Sequence, residues 1–292
     1  MKRFVWLLLL CVVASATPAA DTAAPARAGF NDELRKQEAI YRSQGEAVPE
    51  GYTLDRSLAV YADALAGGFE RVLASLGPDD RWLDIGAGEG RAVLDYYSPG
   101  YDRKVADAGA HRSDRARAVA MSIEDRRTPE WRARAASLDS GRLQYLTERR
   151  LREYSPADIG QFELITDVIG GFSYTTDLSL FMEKALALLR VGGYFFTVLQ
   201  DVHTEAGATP PFYKGAPYLT EMENADGSEL RVCSWLKSIS CVEVSCEAKK
   251  GWKPPVEGFA IRKLCGDIRV PPLAATHYQS GTPPERRFRL KR

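Results

Sequence analysis

The chain has 292 residues, of which 45% are hydrophobic, enough apolar material for a sizeable core and more chain than one average domain needs. Thirty-nine basic residues balance thirty-nine acidic ones, so the formal net charge is zero. That excludes an overall basic field for nucleic acid and leaves only a local patch to do such work.

The chain opens with a positive pair, Lys2-Arg3, then the apolar run Phe4 to Val13 and the small residues Ala14-Ser15-Ala16. This order predicts a secretory signal peptide over 1–16. The run is too short to serve comfortably as a permanent span, so the mature chain is expected to hold no membrane span. Cys11 follows Leu10, not the small residue of a lipid-modified signal; an uncleaved tether is the alternative. The Ala- and Pro-rich stretch 17–30 reads as a flexible linker, and 31–77 as a helical extension. Within it, Asp32 to Ser43 and Asp55 to Leu76 carry apolar residues at helical spacing.

Gly77-Pro78-Asp79-Asp80 turns into a buried strand, Arg81 to Ile85, and the glycine-rich stretch Gly86-Ala87-Gly88-Glu89-Gly90 leads from it into a helix. Glycines allow the sharp turn and leave no Cβ between main chain and ligand. The spacing is Gly-x-Gly-x-Gly, whereas a dinucleotide fingerprint would require Gly or Ala where Arg91 stands. The carboxylate of Asp84 beside this turn suits a ligand with a cationic end better than a diphosphate. A polar insertion, Ser98 to Arg117, precedes a second strand, Ala118 to Ile123, which ends in Glu124-Asp125. Thr128-Pro129 starts a helix, with Thr as its cap. Leu143 to Thr147 is a third strand ending at Glu148, and Phe162 to Asp167 a fourth. Phe181 to Arg190 is helical, and Val191-Gly192-Gly193 turns into a fifth strand reaching Leu199. Late in the chain, Glu229 to Ile239 reads as a helix, with Cys241–Ala248 and Gly258–Leu264 as the arms of a hairpin. The region 267–292 reads as a solvated basic tail ending Arg286-Arg287-Phe288-Arg289-Leu290-Lys291-Arg292.

Leu83 to Gly90 resembles the first motif of class I S-adenosylmethionine-dependent methyltransferases. Phe162 to Asp167 resembles that family's fourth strand, and the block from Phe181 to Leu199 its Leu-x-x-Gly-Gly entry to strand five. The resemblance covers roughly 79–265 and implies a Rossmann-like α/β fold over 78–266: a seven-stranded, mostly parallel sheet ending in an antiparallel hairpin. It also implies S-adenosylmethionine as cofactor. Asp84, Gly86, Ala87, Gly88 and Gly90 would then hold the methionine end, Glu124 the ribose hydroxyls, Glu148 the adenine, and Asp167 the mouth of methyl transfer. The gap from Gly90 to Glu124 exceeds the roughly twenty residues usual for a ribose-binding acid, and Asp125 is the alternative.

A base is needed only where the acceptor must lose a proton; Asp167, His203 and His111 are the candidates, with Tyr52, Arg56 and Tyr174 on the acceptor side. No Asn/Asp-Pro-Pro-Tyr and no Pro-Cys follows the fourth strand, so methylation of adenine or glutamine amino groups, or of cytosine C5, is not supported. With zero net charge, a small-molecule or protein acceptor is favoured over nucleic acid. A catalytically silent binding module of the same fold and a nucleotide-dependent oxidoreductase are the other classes. The silent module draws support from export itself, since the methyl donor is made in the cytosol.

Four cysteines remain beyond the signal: Cys233, Cys241, Cys246 and Cys265. An even number in an exported chain suggests two disulfides. Reduced thiols and a zinc site are the other readings; zinc is disfavoured because no Cys-x-x-Cys and no histidine lies in the cluster. Hairpin pairing about a centre near Pro255-Val256 predicts Cys246–Cys265, and Cys233 would then pair with Cys241.

Overall fold

The structure, a computed structural model, describes residues 56–98, 115–139, 141–200, 220–249, 256–279 and 285–291. The signal, the linker, the first part of the helical extension, Tyr52, His111 and His203 lie outside these residues.

Among the described residues two short helices come first, α1 (Leu58–Ala64) and α2 (Phe69–Ser75). The Ser57 side chain accepts from the Val60 amide and so caps α1. Strand β1 (Arg81–Ile85) runs into α3 (Arg91–Tyr96), and β2 (Arg117–Met121) into α4 (Pro129–Ala136). Thr128 caps α4 through the Trp131 amide, with Pro129 at the first helical position. Then come β3 (Leu143–Leu146), α5 (Pro156–Ile159), β4 (Phe162–Val168), α6 (Gly171–Tyr174), α7 (Leu178–Leu188) and β5 (Leu189–Gln200). The remaining elements are β6 (Thr220–Glu223), α8 (Val232–Lys237), β7 (Val242–Lys249), β8 (Val256–Lys263), β9 (Leu273–Gln279) and β10 (Glu285–Leu290).

Seven strands form one sheet in the order β3-β2-β1-β4-β5-β8-β7. The first five are parallel, while β8 runs antiparallel to both β5 and β7. This is the expected seven-stranded sheet with an antiparallel terminal hairpin. Because side chains alternate faces along a strand, β1 feeds two cores. Trp82 packs with Tyr61, Ala64, Val93 and Trp131 on the face covered by α1, α3 and α4. Leu83 and Ile85 pack with Phe181, Met182 and Leu186 of α7 on the other. The chain leaves β1 towards β2 and β3, then returns to β4 and β5 on the opposite side. The switch point therefore lies between the carboxyl ends of β1 and β4, where open α/β sheets bind ligands.

Two expectations need correction. The basic end of the chain is not a solvated tail: β10 pairs with β6 and β9 in a second, three-stranded sheet. Its arginines alternate as any strand's residues do. Arg287 and Arg289 pair with Glu221 and Glu223 of β6 at 2.7 and 2.6 Å, while Arg286 and Phe288 turn inward and are buried. A run rich in arginine hid a period of two.

The second correction is the disulfide pairing, which is Cys233–Cys246 and Cys241–Cys265. Hairpin register decides it. Val242 stands opposite Lys263 and Cys246 opposite Phe259, a register centred three residues earlier than pairing about Pro255-Val256 requires. That shift removes Cys265 from Cys246 and brings it just past the start of β7, beside Cys241. Cys246 is left facing α8, which supplies Cys233. Each bridge stabilises by about 2–4 kcal/mol, chiefly by restricting the unfolded chain.

Candidate active site

Asp84 is the next-to-last residue of β1 and is fully buried. Its alternation with Leu83 and Ile85 turns it to the α1 face. There the Tyr61 hydroxyl lies 3.0 Å from each of its carboxylate oxygens. Thr166, its register partner on β4, donates to Oδ1 at 2.7 Å, and Trp82 Nε1 donates to Thr166 Oγ1 at 2.8 Å. Charge-assisted bonds of this kind are what make a buried carboxylate tolerable. Burial and the Asp84 charge together hold the Tyr61 phenol protonated, well above its ordinary range. Helix α1 is fixed in turn by the Leu58 amide donating to Asp95 of α3 at 3.0 Å.

Beyond Asp84 the chain turns on three left-handed glycines, Gly86, Gly88 and Gly90, at φ values of 70°, 59° and 79°. Ala87 keeps the loop in step with β2 by donating to the Met121 carbonyl at 2.9 Å. The Tyr145 hydroxyl donates to the Gly88 carbonyl. A Cβ on Gly86 would lie 2.6 Å from Gly170 Cα, so the turns after β1 and β4 touch backbone to backbone. Only glycine fits at such a crossing.

Asp167 faces the other way. Its oxygens accept from the Gly170 and Phe172 amides at 3.0 Å each, across the start of α6. Burial pushes its carboxyl up to about 7, against the opposing pull of these amides, that of Gly171 and the charge of Arg286. Arg286 holds the far end of the same turn, donating to the Phe172 and Thr175 carbonyls at 2.9 Å and to Thr220 Oγ1 at 2.7 Å. Carboxylate at the amides and guanidinium at the carbonyls match the polarity of a helical turn. Asp167 is thus a clamp on the β4 turn. Tyr174, at the end of α6, is exposed.

The carboxylates expected for ribose and adenine live elsewhere. The residue directly after β2 is Ser122, and Glu124 lies two positions further, exposed and paired with Arg126 at 2.8 Å. Asp125 is bound by Arg127 and Arg132, and those hydrogen bonds hold its carboxyl well below the usual range. Glu148 is exposed and adopts the left-handed φ of 67°. Its amide donates to the Ile123 carbonyl at 2.9 Å, so the loops after β2 and β3 run side by side. The structure sets Asp84, the glycine loop and the Asp167 turn side by side at the carboxyl ends of β1 and β4, where open α/β sheets bind ligands, and leaves Glu124 and Glu148 exposed on the β2–β3 side. A shallow depression lined by Leu65, Ala66, Phe69, Arg71 and Lys249 includes none of these residues.

Sequence reasoning missed Tyr61, Thr166 and Arg286. Thr166 had a signal, a hydroxyl inside the apolar run Phe162–Val168. Tyr61 and Arg286 had none, since each acts across the fold.

Strand order, the antiparallel last pair and the glycine turn at the switch point define the class I methyltransferase fold. No family model matches the chain and no curated protein matches it. Solved structures resemble it at low identity. One is 1,6-didemethyltoxoflavin-N1-methyltransferase from Burkholderia thailandensis with bound 1,6-didemethyltoxoflavin and S-adenosylhomocysteine: 15% identity over 87% of this chain and 94% of that one, TM-score 0.42. Another is the N-methyltransferase NodS from Bradyrhizobium japonicum: 14% identity over 67% and 92%, TM-score 0.40. A third is an rRNA methylase from Streptococcus thermophilus: 12% identity over 68% and 95%, TM-score 0.40. The assignment of fold rests on this chain's own strand order.

Proposed function

We propose that this protein is an exported S-adenosylmethionine-dependent methyltransferase acting on a small-molecule or protein acceptor. The observation that carries the reading is the crevice at the switch point: a buried, fully engaged Asp84 beside three left-handed glycines, facing the Gly170 turn. Such a turn carries no side-chain bulk at its glycines, and the Asp84 charge complements a cationic ligand end. Exposed Glu148, and Glu124 on leaving its ion pair with Arg126, can reach towards an adenine amine and ribose hydroxyls respectively; Ser122 offers a hydroxyl at the strand end itself. A sulfonium already carries a good leaving group, so in-line positioning and exclusion of water supply much of the rate. Export is supported by the signal-like N-terminus and by the two disulfides, which persist in oxidising compartments.

A second reading has its own support. Both oxygens of Asp167 are spent on backbone amides, which removes the nearest candidate base and favours a silent binding module if the acceptor needs deprotonation. Calorimetric titration of the mature protein with S-adenosylmethionine and with NAD, followed by a search for methyl transfer, separates the readings. One-to-one binding of the sulfonium ligand and none of NAD is expected; NAD binding alone overturns the proposal.

A further inference from the structure

Outside the crevice, one side-chain cluster carries chemistry that the fold does not require. Cys233 lies on α8, Cys246 on β7 and Glu257 on β8, and their ligand atoms all lie within 4.8 Å of one another. Register explains the meeting. Cys246 stands opposite Phe259 and Glu257 opposite Ala248, so Cys246 and Glu257 are diagonal neighbours on one face of the hairpin. Helix α8 crosses that face and lowers Cys233 onto it. Glu257 is half-buried, and burial raises its carboxyl above the ordinary range while Arg231 and Lys237 pull it down. Among the described residues no hydrogen bond or ion pair reaches this carboxylate, an unusual state for a group taken half out of water. The Cys241–Cys265 bridge, on the same hairpin, has no such neighbour among the described residues.

We propose that Cys233, Cys246 and Glu257 form a site for one zinc ion when the Cys233–Cys246 bridge is reduced. Two thiolates and a carboxylate are three of the four ligands a tetrahedral zinc takes, water completing the set. Sulfurs bound to one tetrahedral zinc sit about 3.8 Å apart, with Zn–S near 2.3 Å. Side-chain rotation across the Cα–Cα separation of 6.2 Å supplies that opening without moving the backbone. The redox step balances with an external dithiol. It gives two electrons and two protons to the S–S bond and leaves as its own disulfide, and zinc then displaces both thiol protons. Three ligand anions against a dication leave one negative charge, which Arg231 and Lys237 offset. Cysteine spacing could not show this site, because its third ligand is a glutamate brought in by register.

The full-length mature protein, reduced with a dithiol under argon and freed of it, tests the site by alkylation mapped to each cysteine, with and without zinc chloride. Zinc is expected to slow alkylation of Cys233 and Cys246 by about tenfold or more and to leave Cys241 and Cys265 unchanged. Glu257→Gln should lose most of that protection, and the oxidised protein should take up no zinc. Cobalt chloride in place of zinc should give thiolate-to-metal charge-transfer absorption that Cys233→Ser loses. Equal labelling of all four thiols, as in a reduced chain that no longer folds, overturns the proposal. So does protection in Glu257→Gln equal to that of the unaltered protein.

Discussion

Two flanks of one sheet edge carry carboxylates in opposite environments. Asp84 and Asp167, at the ends of β1 and β4, are fully buried, and each takes its donors from the protein itself. Glu124 and Glu148, after β2 and β3, are exposed, and Glu124 holds only a surface ion pair. The buried pair is pre-set: protein donors hold both groups in place, although at Asp167 burial outweighs them and pushes the carboxyl up to about 7. The exposed pair is adaptable and adds almost nothing to folding. The crevice is therefore rigid on the β1–β4 side and open on the β2–β3 side. Substitutions on the first should unsettle the fold as well as binding; those on the second should touch binding alone.

The largest effect is expected from Gly86→Val. Its side chain would enter the Gly170 backbone from a left-handed position, costing about 3 kcal/mol or more in denaturant unfolding and abolishing donor binding. Asp84→Ala should cost about 2–4 kcal/mol, because the Tyr61 and Thr166 hydroxyls lose their buried acceptor, and calorimetry should show no donor binding. Full affinity in either variant would move the site elsewhere. Arg286→Met should cost about 2–3 kcal/mol by leaving the Phe172 and Thr175 carbonyls without their donor, with Arg286→Lys recovering part of it.

Asp167 adds a pH dependence. Its carboxyl sits near 7 in the fold, whereas an unfolded aspartate titrates near ~4. Between those values the folded state holds the extra proton. The stability this confers is fully present below about pH 4 and is lost as pH rises to 7, with a slope of at most about 1.4 kcal/mol per pH unit. Denaturant unfolding across that range should show the slope, and Asp167→Asn should flatten it. Smallest of all, Glu124→Gln should leave the unfolding midpoint unchanged and weaken only donor binding. A destabilised Glu124→Gln would erase the contrast between the flanks.

How much of this was legible depends on whether a feature is local. Strand β1 was read with its bounds intact, because Arg81 to Ile85 is a short apolar run closed by glycines. The Thr128-Pro129 helix start and the antiparallel hairpin were likewise written in neighbouring residues. The hairpin's register was not. The strands pair in a register centred three residues earlier than the prolines suggest, and that shift exchanges the cysteine partners. Roles that depend on distant chain were also hidden. That Tyr61 and Thr166 hold Asp84 in place is invisible in its neighbours, and Asp167 reads as a base until its oxygens are found on the α6 amides. The C-terminal arginines read as a tail because their partners, Glu221 and Glu223, lie 66 residues away on β6.

The most direct test is a crystal structure of the protein soaked with S-adenosylhomocysteine. Ligand density is expected between the carboxyl ends of β1 and β4, its amino-acid end on the Gly86–Gly90 turn, with Tyr61 still bound to Asp84 and Glu124 released from Arg126. Density at any other place, or an empty crevice at saturating ligand, would contradict it.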